Sequence, residues 1–600
     1  MRYLLLLFGI LSACVAFAAD KIQIDGAAFR LELADGQTIH RSDLHAVTKD
    51  DAEMVRLTCE HPALEVRLTQ EQVGAGYRRT RLEITNRGAE DLPLQRIVLL
   101  DQTAPAGAHV VGETTGSPIV AGIAFVGVEH PFAENTLEDG RIVCALPIML
   151  PLRPGEQAVA SLVYGEAPEP SQLRRAFAAY LNDARPRAYA PFLLHNTWYN
   201  LGYSNMFSEQ EELELIETLG HELVEQRGVQ IDAFVLDDGW DDTKTLWRFH
   251  AGWPDGLANM KTATVEWGAV PGIWISPWGG YNQPKKERLA AAAGEGFEVR
   301  DGGFSLAGHC YYQRFRALCV QAIREGGVGF FKFDGIGAKD GGKIDPSAGR
   351  DFDAMLHLIT ELRQLEPDLY VSQTVGTWPS PWWLLHVDNI WRGGADHDFA
   401  GVGTDRQRWI TYRDAQVYQN VVQRAPLFPL GSLMLHGIIL AEHADRLATT
   451  NDTDFTSEVR SYFGSGAQLQ ELYLSPELLT PENWDVIAEA AKWARRNADV
   501  LADTHWLGGD PAQLEPYGWA AWSPRLGIVT LRNPSAQPQR FALEVGAAFE
   551  LPADARSEYA VTAAYDDSEA PVDRLVEGQA VEVELEPFQV LVLEARPLKR

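Results

Sequence analysis

The chain has 600 residues, of which 46% are hydrophobic and 22% charged, and its formal net charge is −31. This length allows roughly two to four domains with their own cores, and the composition is that of an ordinary globular protein. The negative charge argues against nucleic acid and anionic membrane surfaces as partners, because both require basic patches. Neutral carbohydrates remain compatible with this charge.

The first 19 residues have the pattern of a signal peptide. Arg2 precedes an apolar run from Leu4 to Val15, and alanines follow at positions 16, 18 and 19. The run is shorter than the ~20 residues of a membrane-spanning helix, so we expect export to the periplasm or the medium, without a membrane span. Leu11-Ser12-Ala13-Cys14 also resembles a bacterial lipobox, in which Cys14 would carry a lipid anchor, and both interpretations stay open.

Three domains are predicted after this segment. Residues 20–185 contain short β-type segments broken by turns, such as Leu82-Glu83-Ile84, which predicts a β-sandwich. Residues 503–600 repeat this pattern, for example in Ile528-Val529-Thr530-Leu531, and predict an antiparallel β-domain. Between them, in residues 186–502, apolar strands alternate with helical patterns, which is typical of an α/β fold with a parallel sheet. We therefore predict a (β/α)8 TIM barrel flanked by two β-domains; the sequence does not indicate the oligomeric state.

Eight apolar segments provide the predicted barrel strands. One helix between them is predicted to start at a capping box formed by Ser208 and Glu211. A later helix is predicted around Trp484, Ile487, Ala491 and Trp493. The predicted strands are Phe192–Thr197, Ala233–Leu236, Gly272–Ser276, Gly329–Phe333, Leu369–Ser372, Asn389–Trp391, Leu433–His436 and Leu469–Leu474.

Polar residues follow several of these strands, at the end of the barrel where TIM-barrel active sites lie. Trp198 follows the first strand and Trp274 lies within the third. His436, at the end of the seventh, is either a lining residue or a structural histidine. The second, fourth and sixth strands end in Leu236-Asp237-Asp238-Gly239-Trp240, Phe331-Lys332-Phe333-Asp334-Gly335 and Trp391-Arg392-Gly393-Gly394-Ala395-Asp396-His397-Asp398.

The combination of these side chains points to carbohydrate. A single aspartate after a strand is more often a helix cap or turn former, but here five carboxylates, a lysine, an arginine and several tryptophans meet at one barrel mouth. Indole rings stack on sugar faces, and carboxylates and guanidinium groups hold hydroxyls. Hydrolysis of a glycosidic bond needs two carboxyl groups, and Asp334 and Asp396 can both reach the barrel axis. Lys332 points to the same side as Asp334 and could hold a sugar hydroxyl and keep Asp334 ionised.

These motifs resemble those of the melibiase group, clan D of the glycoside hydrolases, with families 27 and 36; the flanking β-domains resemble family 36 more closely. The resemblance implies that Asp334 is the nucleophile and Asp396 the acid/base. It assigns substrate binding to Trp198, Asp237, Asp238, Trp274, Lys332 and Arg392. No motif indicates a metal or an organic cofactor, and a mechanism with two carboxyl groups needs neither.

Two departures from the family pattern leave alternatives open. His397 separates Asp396 from Asp398, so Asp398 is a second candidate for the acid/base and a predicted substrate-binding residue. In family 27 a loop with bulky residues selects galactose, whereas small residues admit a 2-acetamido group. Thr377-Trp378-Pro379-Ser380 mixes both types, so Trp378 is a predicted substrate-binding residue.

The sequence therefore predicts an exported, exo-acting, retaining α-glycosidase that cleaves terminal α-linked galactose-type residues from a carbohydrate substrate. Its alternatives are α-N-acetylgalactosaminidase specificity, a transglycosylase similar to raffinose synthase, and a non-catalytic carbohydrate-binding barrel.

Overall fold

The computed structural model describes residue 22 and residues 29–598, apart from 52–53, 61, 75, 150, 204 and 337–345. The predicted signal peptide and Cys14 lie outside the described residues. Within the described part of the chain, no helix combines the length and the apolar character needed to cross a bilayer.

The N-terminal domain is a sandwich of two antiparallel sheets. Its strands are β1 (Arg30–Leu33), β2 (Thr38–His40), β3 (His45–Asp51), β4 (Met54–Glu60), β5 (Ala63–Val73), β6 (Tyr77–Asn86), β7 (Leu94–Thr103), β8 (His109–Val110), β9 (Ile119–Ala121), β10 (Ala124–Val128), β11 (Glu134–Glu138), β12 (Arg141–Pro147) and β13 (Gln157–Glu166). One sheet has the order β11-β12-β7-β1-β2, and the other β3-β4-β5-β6-β13-β10-β9-β8. Alternate residues such as Leu82 and Ile84 are fully buried between the sheets.

The central domain is a closed barrel of parallel strands. The barrel strands are β14 (Phe192–Asn196), β15 (Ala233–Leu236), β16 (Val270–Ile275), β19 (Phe330–Phe333), β20 (Tyr370–Gln373), β21 (Asn389–Trp391), β22 (Leu433–Met434), β23 (Ile438–Leu440) and β24 (Leu469–Leu474). A separate antiparallel hairpin of β17 (Val299–Arg300) and β18 (Gly303–Phe304) lies between β16 and β19 in the chain. The strand order is β22-β21-β20-β19-β16-β15-β14-β24-β23, and the ring is complete because β22 and β23 are two halves of the seventh strand. The predicted TIM barrel is confirmed, and seven of its strands lie within two residues of their predicted bounds.

The seventh strand differs from the prediction because it is interrupted. Its first half, β22, pairs with β21 and its second half, β23, pairs with β24. Between them His436 and Gly437 have φ values of 62° and 35°. A Cβ on Gly437 would lie 2.0 Å from the carbonyl oxygen of Glu471, so only glycine fits this position without a backbone shift. The break ends the hydrogen-bonded strand two residues before His436.

Helices surround the barrel. The capping box of Ser208 and Glu211 starts α2 as predicted, and the apolar residues predicted in α9 are buried. The helices are α1 (Leu173–Ala184), α2 (Glu209–Leu219), α3 (Ala258–Glu266), α4 (Asn282–Ala291), α5 (His309–Arg324), α6 (Pro346–Leu365), α7 (Asp405–Val417), α8 (Asp452–Gly464), α9 (Pro481–Arg496) and α10 (Ala498–Leu501).

The C-terminal domain is antiparallel, as predicted. Six of its strands form one sheet with the order β25-β26-β27-β32-β29-β30, and β28 pairs with β31. Leu531, Phe549 and Val583 are buried in its core. Its elements are β25 (His505–Gly508), β26 (Tyr517–Ser523), β27 (Leu526–Arg532), β28 (Gln539–Leu543), α11 (Val545–Ala548), β29 (Glu558–Ala563), β30 (Arg574–Val576), β31 (Val581–Leu585) and β32 (Val590–Pro597).

The N-terminal sandwich packs closely against the barrel. The indole N–H of Trp382, in the barrel, donates to the carbonyl of Gly116 in the sandwich. Trp382 is fully buried, and a Cβ on Gly127 would lie 2.5 Å from its ring. Phe177 on α1 packs edge-on against the same ring, with 5.6 Å between ring centroids. The two domains therefore share a hydrophobic core.

Candidate active site

A cavity of about 280 Å³ lies at the C-terminal ends of the barrel strands. We call it the barrel cavity. Seven of the ten predicted site residues line it, namely Trp198, Asp237, Asp238, Trp274, Lys332, Asp334 and Asp396. Since these residues come from five different strand ends, the barrel closure is what brings them together.

Asp334 directly follows β19, and its carboxylate is held in place on both oxygens. Trp274 Nε1 donates to Oδ2 at 3.0 Å, whereas the hydroxyls of Tyr281 and Thr374 donate to Oδ1, the former at 3.0 Å. An ionised carboxylate is an acceptor only, so this set of donors suits the charged form. The result is an oriented anion that faces the barrel cavity.

Sequence reasoning did not find Tyr281 or Thr374, although both line the barrel cavity. Thr374 directly follows β20, so the search for polar residues after strands could have found it. Tyr281 lies in the loop between β16 and α4, where no motif marks it.

Lys332 forms a buried ion pair with Asp237. Its Nζ donates to Asp237 Oδ2 at 2.8 Å, and Asn196 Nδ2 donates to the same oxygen at 2.8 Å. Burial lowers the pKa of Lys332, but the negative charges of Asp237 and Asp334 outweigh it and raise that pKa above its usual value. Lys332 therefore remains an ammonium group at the floor of the cavity.

Asp238 is held by Arg288, a fully buried residue of α4 that the sequence analysis missed. Arg288 donates to Asp238 at 2.7 Å and to both oxygens of Asp241, at 2.6 and 2.8 Å. Its guanidinium group also stacks on Trp247, with 4.2 Å to the ring centroid. Burial raises the pKa of Asp238 to about 6, against the opposing effect of Arg288.

Asp396 faces the barrel cavity with a side chain that is 52% exposed. The surrounding protein raises its pKa to about 6; Lys332 opposes this effect, and the charges of Asp334 and Asp237 add to it. The carboxyl group can therefore hold or release a proton in mildly acidic solution. Asp398, the alternative acid/base, is exposed, accepts a bond from the backbone N–H of Phe399 and does not line this cavity.

Two predicted substrate-binding residues, Arg392 and Trp378, do not line the barrel cavity. Arg392 is buried and donates to four backbone carbonyls, those of Leu435, Gly393, Ala395 and Asp396. It therefore fixes the loop that carries Asp396 instead of reaching into the cavity. Trp378 lies at the interface with the N-terminal sandwich, where its Nε1 donates to the carbonyl of Thr115 at 2.9 Å.

His436 lines the cavity beside Asp396, with 3.9 Å between its Nε2 and the Oδ1 of Asp396. Burial lowers the pKa of His436 well below its usual value, so the ring is neutral. Its backbone N–H donates to the carboxylate of Glu471 at 3.1 Å, and the hydroxyl of Tyr473 donates to the same carboxylate at 2.7 Å. The interrupted seventh strand thus brings His436 to the wall of the cavity.

Among the residues that the structure describes, no group of three or more histidine, cysteine, aspartate or glutamate side chains is arranged to hold a metal ion.

No protein-family model and no curated protein matches the sequence. Solved structures do match in fold. The family 36 α-galactosidase of Geobacillus stearothermophilus, determined in complex with raffinose, has a TM-score of 0.62 at 13% identity, over 95% of this chain and 89% of that one. The α-galactosidase of Lactobacillus brevis has a TM-score of 0.61 at 14% identity, over 96% and 88% of the two chains. The chain has the fold of the family 36 α-galactosidases.

The family 36 fold accounts for all three domains, because the match extends over nearly the whole chain. The resemblance to the melibiase group that the motifs indicated is therefore confirmed at the level of the fold, with family 36 as the closer architecture. At 13–14% identity the comparison carries the fold alone. The chemistry depends on the residues that line the barrel cavity.

Proposed function

We propose that this protein is a glycoside hydrolase, namely an exo-acting, retaining α-glycosidase that removes terminal α-linked galactose-type residues. The observation that carries the proposal is the pair Asp334 and Asp396. One carboxylate is fixed by three side-chain donors and the other has a pKa near 6, and both face the same cavity. An oriented nucleophile and a titratable acid/base are the two groups that retention requires.

In the first step Asp334 attacks the anomeric carbon while Asp396 donates its proton to the departing glycosidic oxygen. This forms a glycosyl-enzyme ester and releases the aglycone. In the second step Asp396 takes a proton from a water molecule, whose oxygen displaces Asp334 from the anomeric carbon. The free sugar keeps its α-configuration, because the carbon is inverted twice.

The remaining lining residues suit a single sugar ring. Trp198 and Trp274 offer indole surfaces, whereas Asp237, Asp238 and Lys332 offer acceptors and a cation for hydroxyl groups. The volume of about 280 Å³ is small for a ligand site, which favours removal of one terminal residue at a time. The fold shared with α-galactosidases makes galactose the first sugar to test.

We also propose that the protein acts outside the cytoplasm, after removal of a signal peptide of about 19 residues. This proposal rests on the sequence pattern of the N-terminus.

The test is the release of nitrophenol from para-nitrophenyl α-galactoside and the corresponding α-N-acetylgalactosaminide, measured in parallel for the wild type and for Asp334→Asn. We expect release from the α-galactoside, and loss of nearly all turnover in a variant with an unchanged circular dichroism spectrum. Nuclear magnetic resonance of the fresh product should show α-galactose first. A fully active Asp334→Asn variant, or β-galactose as the first product, would refute the mechanism.

One additional experiment distinguishes hydrolysis from the transglycosylase alternative. The same reaction with an added acceptor sugar, analysed for new oligosaccharides, distinguishes transfer to sugar from transfer to water. Hydrolysis as the dominant outcome at moderate acceptor concentration supports the proposal.

A further inference from the structure

A second cavity, of about 540 Å³, lies on the outer side of the barrel wall, between the strands and helices α3 and α5. We call it the outer cavity. Ile273 and Ile275 of β16 line it, whereas Trp274, between them, lines the barrel cavity. Likewise Phe331 of β19 faces the outer cavity and its neighbour Lys332 faces the barrel cavity. Because adjacent residues of a strand point to opposite faces, the two cavities lie back to back across the same strands.

The walls of the outer cavity are mainly apolar and aromatic. Trp240 and Trp247 lie with their rings nearly parallel, with 6.1 Å between centroids and an interplanar angle of 22°. Phe249 packs beside Trp240, with 4.9 Å between centroids. Ala258 of α3 and Ala322 of α5 face the same space with small side chains. Such a space suits a flat apolar ligand.

Two arginines, Arg248 and Arg314, line this apolar space. Arg314 donates to the carbonyl of Leu246 at 3.0 Å and forms no ion pair within the described part of the chain, and Arg248 forms no side-chain hydrogen bond or ion pair there. By contrast Arg316, two residues further along α5, is paired with Glu361. The guanidinium groups at the outer cavity therefore have unused donors.

Two carboxylates also line the outer cavity, but they accept hydrogen bonds from side-chain amides and not from Arg248 or Arg314. Glu325 accepts from Gln321 at 2.7 Å and Asp255 accepts from Asn259 at 3.4 Å. Burial and, next, the charge of Arg248 lower the pKa of Arg314, with smaller opposing effects of Tyr311 and Glu295. The two arginines therefore repel each other, and within the described part of the chain neither forms an ion pair with these carboxylates.

We propose that the outer cavity binds a small organic anion with a flat apolar body and a single anionic head group. The body lies against Trp240, Trp247 and Phe249, and the head group accepts hydrogen bonds from Arg248 and Arg314. This site is separate from the sugar site and goes beyond the proposed function. The barrel cavity is the wrong place for such a ligand, because four aspartates line it.

The test uses 8-anilinonaphthalene-1-sulfonate, which has aromatic rings and one sulfonate, as the probe. We expect saturable binding to the full-length protein at pH 7, followed by probe fluorescence. The variant Arg248→Gln/Arg314→Gln should bind at least tenfold more weakly, because charged hydrogen bonds to the head group are lost. Arg324→Gln is the matched control, since Arg324 is an exposed arginine of α5 that does not line the cavity; its affinity should stay within twofold of the wild type.

Three further arms locate the probe. Ala322→Trp fills the outer cavity and should abolish binding. The uncharged analogue N-phenyl-1-naphthylamine should bind equally to the wild type and the double arginine variant. An excess of galactose should leave the probe in place, because the sugar occupies the other side of the barrel wall.

The proposal is overturned by the absence of saturable binding, by equal affinity of the wild type and the double arginine variant, or by displacement with galactose. The arginine variants decide the question even where Ala322→Trp does not fold, because Arg248 is exposed and Arg314 partly exposed. Because these experiments measure probe binding and not turnover, a negative result would leave the proposed glycosidase activity standing. The proposal for the outer cavity and the proposed function can therefore fail independently.

Discussion

In the proposed mechanism Asp396 must carry a proton when it meets the glycosidic oxygen, so the rate of bond cleavage should depend on pH through this one carboxyl group. Partial desolvation by the walls of the cavity and the charges of nearby aspartates raise its pKa from 3.8 to about 6, against the effect of Lys332. At pH 6 about half of the molecules then hold the proton, whereas a pKa of 3.8 would leave fewer than about 1% protonated. The site thus makes the general acid about 80-fold more available at this pH.

The direction of the pH dependence follows from the proposed role of Asp396 as a general acid. An acid is active in its protonated form, so kcat/KM should be flat just below pH 6 and fall about tenfold per pH unit above it. The assay is kcat/KM for an α-galactosyl disaccharide between pH 4 and 8. Asp396→Asn should lose roughly 10²–10⁴-fold on this substrate and remove the basic limb of the profile. It should lose less on the nitrophenyl glycoside, whose leaving group needs little protonation.

Asp238→Asn is the necessary control, because burial raises the pKa of Asp238 to about 6 as well. A basic limb that persists in Asp396→Asn and disappears in Asp238→Asn would refute the assignment of the acid. A midpoint near pH 4 in the wild type would show that the cavity does not raise the pKa of Asp396.

Three further outcomes follow from the contacts. Arg288→Gln leaves Asp238 and Asp241 buried without their cation, which typically costs about 3–5 kcal/mol of folding stability. The midpoint of denaturant unfolding should therefore shift to a lower denaturant concentration, and KM should rise. An unchanged unfolding midpoint would contradict this expectation. Gly437→Ala forces the backbone away from the carbonyl of Glu471, so kcat should fall while the far-UV circular dichroism spectrum stays unchanged. Gly578→Ala is the control, because Gly578 also has a positive φ but has open space around it; this variant should keep full activity. Trp378→Phe removes the hydrogen bond to the carbonyl of Thr115 and should lower the free energy of unfolding by about 1 kcal/mol with KM unchanged. A raised KM would show that Trp378 takes part in sugar binding.

The sequence predicted the barrel strands well for a physical reason. Parallel strands are buried on both faces, so they read as continuous apolar runs such as Ala233–Leu236 and Leu469–Leu474. Their polar end residues then gather at one face of the barrel, and seven of ten predicted site residues indeed line the same cavity.

The missed features depend on contacts between distant parts of the chain. Arg288 lies in the interior of a helix and gains its role only through Asp238, 50 positions away. Trp378 occupies a plausible place in the sequence, but a partner 263 positions earlier holds it at the domain interface. The break in the seventh strand arises because the backbone at Gly437 passes close to β24, which an apolar run cannot reveal. The position of Arg392 in its motif predicted contact with the substrate, but in the structure its guanidinium N–H groups donate to backbone carbonyl groups.

The packing of Trp382 against Gly127 and Gly116 has a practical consequence for anyone who wishes to reuse the barrel as a separate module. A shorter chain that began near residue 186 would leave this indole, and that of Trp378, facing water. Such newly exposed aromatic surface promotes aggregation. Transplanting or randomising the face that carries the barrel cavity should therefore be attempted with the sandwich still attached.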